Sequence, residues 1–185
     1  MPVPRRLHQE DFAQALCIAA ANKYEKNNEG YLKKLFDVIR AHSADPMTDS
    51  LKLWDICIFN YLIGNTDNHI KNLSLLYSED LKSVRLAPAY DIVSTMIYQS
   101  STENMALSID GICNINEITK ASFEKAASQV GIGPKMAMKR FDTMVNGFES
   151  AINQAKEELK SKGFNQAEEI CDMIMEKGGI RKELL

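Results

Sequence analysis

Five polar residues with chemistry to offer crowd into one stretch of the chain. Asp67, His69, Lys71 and Asn72 lie in Gly64-Asn65-Thr66-Asp67-Asn68-His69-Ile70-Lys71-Asn72, and Asp91 follows in Pro88-Ala89-Tyr90-Asp91. A carboxylate and a carboxamide are hard oxygen donors that suit Mg2+, an ion that takes one or two protein groups and fills its other positions with phosphate and water. With a further carboxylate to receive or orient a hydroxyl proton, and a cation for developing phosphate charge, the set contains what phosphoryl transfer requires. A plainer reading stands beside it, because Asn and Asp are common turn residues that bond their own backbone.

The surrounding elements favour a site. Asp45-Pro46 supplies an N-cap and a first-turn proline, after which Met47, Leu51, Trp54, Cys57, Ile58, Phe59, Tyr61, Leu62 and Ile63 leave little polar surface before Gly64 ends the segment. A helix apolar nearly all round is a buried one. The polar loop therefore hangs from the most buried helix, and Asp67 stands at the mouth of the core, where neighbours control its orientation and proton affinity. Residues 73–77 and 84–86 read as a β-hairpin, long enough to return Asp91 beside Asp67 and Asn72.

The remaining pattern is mostly helical. Residues 9–17 and 30–42 carry apolar side chains at helical spacing, with NKYEKNNEG between them as a polar loop. A strand is expected at 105–109, closed by the turn Asp110-Gly111, and helices over 117–130, 135–160 and 165–178. The expected fold class is mainly α with a small β-hairpin or sheet, packed as one unit in which 117–185 is a C-terminal helical part. His8 is expected to cap the first helix or pack beneath the loop, and His42 to lie on the surface.

Composition narrows the function classes. The chain has 185 residues, 45% hydrophobic and 25% charged, and a formal net charge of −3, so it lacks the positive field that direct binding to nucleic acid or an anionic membrane needs. No stretch approaches the roughly 18 apolar residues of a membrane span. The start, MPVPRRLHQEDF, lacks the apolar centre of a signal peptide, so a cytoplasmic chain is expected. Cys17, Cys57, Cys113 and Cys171 stand singly and read as reduced, mostly buried small apolar residues. A calcium loop starting at Asn65 fails, because Ile70 and Leu76 occupy the positions that need Gly and Glu.

Three segments together resemble the C-terminal lobe of the HipA family, bacterial serine/threonine kinases that act as toxins of toxin–antitoxin pairs. They are Arg6-Leu7-His8-Gln9-Glu10-Asp11-Phe12, then residues 62–72, then Leu86-Ala87-Pro88-Ala89-Tyr90-Asp91-Ile92-Val93-Ser94. The order is that of protein kinases, in which the catalytic Asp precedes a metal-binding Asn by five residues and a second metal-binding Asp comes after a hairpin. HRD is missing, and Tyr90-Asp91-Ile92 stands where most protein kinases have DFG.

Position by position, the resemblance implies a protein-kinase-like C-terminal lobe over 1–185, with catalytic and metal-binding loops at 62–94. Asp67 would be the base toward a protein Ser/Thr hydroxyl, and Asn72 and Asp91 would hold Mg2+ and, through it, ATP. Lys71 would contact phosphate or stand solvated; His69 would fix the loop or take part directly. Implied partners are ATP, a protein substrate such as a translation factor or an aminoacyl-tRNA synthetase, and an antitoxin or a separate N-lobe polypeptide. DNA would be met only indirectly, through the antitoxin, and no membrane is implied.

A kinase also needs an N-lobe with a loop over the ATP phosphates and a strand lysine. Neither is found, and Gly131-Ile132-Gly133-Pro134 reads as a connector. The expectation is thus a fragment, one half of a split kinase, or a lobe retained as a noncatalytic binding module. A kinase for a lipid or small molecule would favour a polybasic face, which the sequence lacks.

Overall fold

The computed structural model describes residues 6–26 and 29–179. In chain order the elements are β1 (Gln9–Asp11), α1 (Phe12–Ala15), α2 (Tyr31–His42), α3 (Pro46–Ile63), β2 (Ser74–Tyr77), β3 (Val84–Leu86), β4 (Asn104–Ile109), β5 (Ile112–Asn114), α4 (Lys120–Gln129), α5 (Pro134–Ser161) and α6 (Ala167–Lys177). Short 3-10 turns sit at Ala20–Asn22 and Thr95–Ile97.

The axis of the molecule is α3. Asp45 caps it by accepting from the Thr48 N–H at 3.2 Å, and Pro46 opens its first turn. Trp54, Ile58, Tyr61 and Leu62 are fully buried along it. An edge-to-face aromatic series runs outward from this helix, with Trp54 and Phe123 at 5.7 Å and Tyr61 and Phe123 at 5.1 Å between ring centres. The polar tips of both rings are satisfied: Trp54 Nε1 donates to the Ala137 carbonyl and the Tyr61 hydroxyl to that of Ile118, each at 3.2 Å. Outside the core, Arg140 on α5 clamps Asp55 on α3 through Nε at 2.7 Å.

A buried carboxylate on α3 departs from the apolar pattern. Asp49 is 0% exposed and receives Arg85 Nε at 2.8 Å, Arg85 Nη2 at 2.9 Å, the Ser43 hydroxyl at 2.6 Å and the Leu86 N–H at 2.9 Å. Burial alone would push this carboxyl up; the Arg85 guanidinium, Ser43 and the Leu86 amide outweigh it and hold the pKa down at about 2. The result nails β3 to the start of α3.

The expected hairpin is present as β2 and β3, antiparallel with Leu75 opposite Leu86. The expected helix over 9–17 is a correction. Gln9–Asp11 instead forms β1, antiparallel to β2 with Glu10 opposite Leu75, and only Phe12–Ala15 is helical. The helical spacing of Phe12, Ala15 and Leu16 covered one turn, while the edge of β2 offered the preceding residues a ladder. Asp11 and Gln14 make the capping box of that turn; His8 does not cap it, but lies against the Tyr77 ring at 5.0 Å. His42 is exposed as expected.

The strand at 105–109 is β4, closed by Asp110 and Gly111, both at positive φ, onto a partner, β5, which the sequence had not marked. Of the free cysteines, Cys57 and Cys171 are buried, Cys113 is half-buried and Cys17 is exposed, a smaller buried share than expected. Finally, α6 runs back to the foot of α3. A Cβ on Gly178 would collide with the Leu62 carbonyl, and one on Gly179 would stand 2.5 Å from the Tyr61 ring. Among the described residues no helix is long and apolar enough to cross a membrane.

Candidate active site

The loop that follows α3 begins at a residue whose conformation glycine alone adopts without strain. Gly64 has φ 70°, and an added Cβ would lie 3.0 Å from Met96 Cβ. Its carbonyl accepts from the Met96 N–H at 3.0 Å and from the Thr95 hydroxyl at 3.1 Å. The Thr66 N–H donates back to Thr95 Oγ1 at 2.8 Å. The segment after Asp91 is thereby laced to the segment before Asp67.

Asn65 is the hub of this lacing. Its Nδ2 donates to Asn60 Oδ1 at 2.7 Å and to the Asp91 carbonyl at 3.3 Å, and its Oδ1 accepts the Asp67 N–H at 3.1 Å. The turn reading of Asn65 was therefore right in form, since this is an Asx-type bond, yet the same side chain also ties the Asp91 backbone to the loop. Asn72 Nδ2 donates to the Asp67 carbonyl at 3.1 Å, closing the loop across the five-residue spacing. A second bridge runs through Tyr90. Its hydroxyl donates to the Lys71 carbonyl at 2.8 Å and accordingly accepts from Ser74 Oγ at 2.6 Å.

Four of the five sequence-marked residues thus meet through side chain or backbone around Asn65 and Asn72. Asp67 is half-buried, and its Oδ1 accepts the Tyr24 hydroxyl at 2.6 Å. His69 is 5% exposed, its N–H donates to the Asp67 carbonyl at 2.8 Å, and its Nδ1 has no partner. Burial, then the charge of Lys23, lowers the His69 pKa against the opposing pull of Asp67 and Asp91, so the ring is held neutral. Asp91 is exposed, at φ 55°, a left-handed conformation that a short polar side chain tolerates. Lys71 enters the network through its carbonyl only, as Asp91 does, and His69 enters through its backbone amide and carbonyl.

Asn72 and Asp91 carry the kinds of oxygen donor that a divalent cation takes, one carboxamide and one carboxylate. With Asn72 Nδ2 engaged, its Oδ1 is uncommitted, and the Asp91 carboxylate makes no hydrogen bond or ion pair among the described residues. Among the described residues no group of three or more His, Cys, Asp or Glu could hold a metal. Two lone oxygen donors suit an ion whose shell is completed by phosphate and water, and not a closed structural metal site.

Sequence reasoning passed over Tyr24, which lay in a stretch read as a polar loop; only its aromatic character set it apart there. It also passed over Asn65 as a tether, Thr95 and Tyr90, whose roles depend on contacts distant in sequence.

Comparison with known proteins places the chain in a family. The HipA-like C-terminal domain family matches residues 2–152. A putative kinase, Y4mE, of Sinorhizobium fredii is 35% identical over 84% of this chain and 37% of its own length. The serine/threonine-protein kinase toxin HipA of Shewanella oneidensis is 30% identical over 69% of this chain and 31% of its own. Among solved structures, HipA in complex with HipB and operator DNA, from Shewanella oneidensis, superposes with a TM-score of 0.81 at 20% identity, covering 98% of this chain and 46% of that one. The fold is therefore the kinase-like one of HipA. The chain spans less than half the length of each of these relatives.

Proposed function

We propose, because the chain belongs to the HipA-like C-terminal domain family, that it is the catalytic lobe of an ATP- and Mg2+-dependent serine/threonine protein kinase, the toxin of a toxin–antitoxin pair. The observation that carries the reading is the joining of Asp67, Asn72 and Asp91 through two carboxamides, Asn65 and Asn72, on loops anchored at both ends. The kinase names of the relatives support it.

In this reading Asp67 orients the acceptor hydroxyl and takes its proton as the hydroxyl oxygen bonds to the γ-phosphorus of ATP and the bond to the β-phosphate oxygen breaks, releasing ADP. Asn72 Oδ1 and the Asp91 carboxylate hold Mg2+, which when bound offsets the charge on the phosphates. Asn65 keeps the Asp91 backbone in register with Asp67. His69, neutral and buried, packs under the loop. Lys71 stands beside Asn72 as a phosphate contact.

A lobe that covers ATP would have to come from outside this chain, which spans 37% of the length of the Sinorhizobium relative. The test joins or mixes the chain with the remaining segment of the Sinorhizobium relative and follows phosphoryl transfer from Mg·ATP to a serine-bearing protein. Asp67→Asn should reduce transfer by at least a hundredfold; transfer that survives the substitution would remove Asp67 as the base.

A second reading has its own observation. The matched Shewanella HipA was solved with HipB and operator DNA, so a lobe of this fold acting as a noncatalytic module for an antitoxin, with DNA met through that partner, would bind it unchanged as Asp67→Asn while transferring no phosphate even as wild type.

A further inference from the structure

The hydroxyl group nearest Asp67 belongs to the protein itself. Tyr24 donates to Asp67 Oδ1 at 2.6 Å, although its ring is 41% exposed and 43 positions away in sequence. Burial in a core does not hold it there. Two other features do.

The first is Glu25, a carboxylate only 7% exposed. Its Oε1 accepts the N–H of Gly30 at 2.7 Å and of Tyr31 at 3.3 Å, and its Oε2 accepts the Ser108 N–H at 2.7 Å. The Tyr31 hydroxyl donates to the Asn22 carbonyl at 2.9 Å on the other side. The second is Ala106 on β4, whose carbonyl accepts the Glu25 N–H at 3.0 Å and whose own N–H donates to the Thr66 carbonyl at 2.9 Å. Tyr24 and Asp67 are each the chain neighbour of a residue bonded to this one alanine. Their separation is set by a strand, not by a loose loop.

The ring is fixed as well. The Lys23 ammonium lies 4.8 Å over it, and the His69 ring meets it edge-on at 5.2 Å and 76°.

We propose that Tyr24 is a positioning residue for the acceptor side of this site: its hydroxyl holds Asp67 Oδ1, leaving Oδ2 to take the proton of an incoming Ser/Thr hydroxyl, and its exposed ring walls the approach to that oxygen. The proposal rests on the reading of Asp67 as base. The hydrogen bond to Asp67, followed by burial and the carboxylate's charge, pushes the Tyr24 pKa up to about 12, so the phenol remains a donor at neutral pH. Anchoring by Glu25 and Ala106 distinguishes this arrangement from a swinging cover. A carboxylate gripped at one oxygen has a single face to offer, and misplacement of such a group by about 1 Å costs on the order of a hundredfold in rate.

The test has two arms. In the chain alone, crystal structures of wild type and Tyr24→Phe are compared; the Asp67 carboxylate should take one orientation in the former and more than one in the latter. An unchanged single orientation overturns the proposal. In the chain supplied with the remaining segment of its relative, transfer from Mg·ATP to casein is measured. Tyr24→Phe should lower kcat tenfold to a hundredfold with KM for ATP unchanged, and Tyr24→Ala should in addition raise KM for casein. Should Tyr24→Phe turn over as fast as wild type or faster while Asp67→Asn is inactive, Tyr24 is no positioning residue and the base assignment stands. Should Asp67→Asn remain active, the base assignment itself fails. The crystallographic arm decides the placement of Asp67 whether or not turnover is restored.

Discussion

At Asn65 one side chain makes three contacts, one buried and two part-buried. Replacement by Ala would leave Asn60 Oδ1, the Asp67 N–H and the Asp91 carbonyl short of a partner inside the protein. Each stranded buried group costs about 1 to 3 kcal/mol. Asn65→Ala should therefore lower the unfolding free energy by about 3 kcal/mol, read from urea denaturation, and should disturb the site more than the loss of a solvated loop asparagine would. Asp91 is the opposite case, an exposed carboxylate with no hydrogen-bond or ion-pair partner among the described residues. Asp91→Asn, which keeps a short polar side chain at φ 55°, should leave the denaturation midpoint within experimental error of wild type while raising, by tenfold or more, the Mg2+ concentration needed for half-maximal transfer in the reconstituted kinase. The residue types at 67, 69, 71, 72 and 91 were readable from the sequence because their chemistry is local. Tyr24 was not, since its meaning arises from a contact bridging 43 positions, and no pattern in NKYEKNNEG distinguishes a tyrosine that meets a carboxylate from one that meets water.

Among the elements, α3 and the hairpin decide where the loops begin and end. Their sequences announced them: the N-cap Asp45, the proline and the terminal Gly64 bracket α3 as residue chemistry requires. The segment 9–17 did not, because strand β1 is only three residues long and exists by virtue of the edge that β2 presents to it. Asp49 was hidden for a similar reason, as its partner Arg85 comes from β3. Removing that partner strands a carboxylate that is fully buried, so Arg85→Met should cost about 3 kcal/mol. The pH dependence has a definite sign. Asp49 titrates at about 2 in the folded chain against an ordinary 3.8, so its stabilisation is complete above pH about 4 and is lost as the pH falls toward 2. Stability measured across that interval should fall in wild type and change less in Asp49→Asn. Gly64→Ala should be costly on two counts, a positive φ and the 3.0 Å approach of Met96, together about 2 kcal/mol.

For the molecule as a whole, the family match ends at residue 152, yet structure continues through α6 to a contact with the foot of α3. Gly178 and Gly179 let backbone lie against the Leu62 carbonyl and the Tyr61 ring, immediately before the loop that carries Asp67. A ribosome makes the polar loop well before it makes these two glycines, and contacts between distant parts of a chain form late. The foot of the loop therefore lacks one of its walls until α6 has emerged and folded back. A chain arrested before Gly178 would possess every polar residue of the site and still exchange its amide hydrogens at 64–66 faster than the longer chain, which hydrogen-exchange measurements on the two would show. The proposed active loop is in this sense held in place by residues that are synthesised after it and lie far along the chain from it.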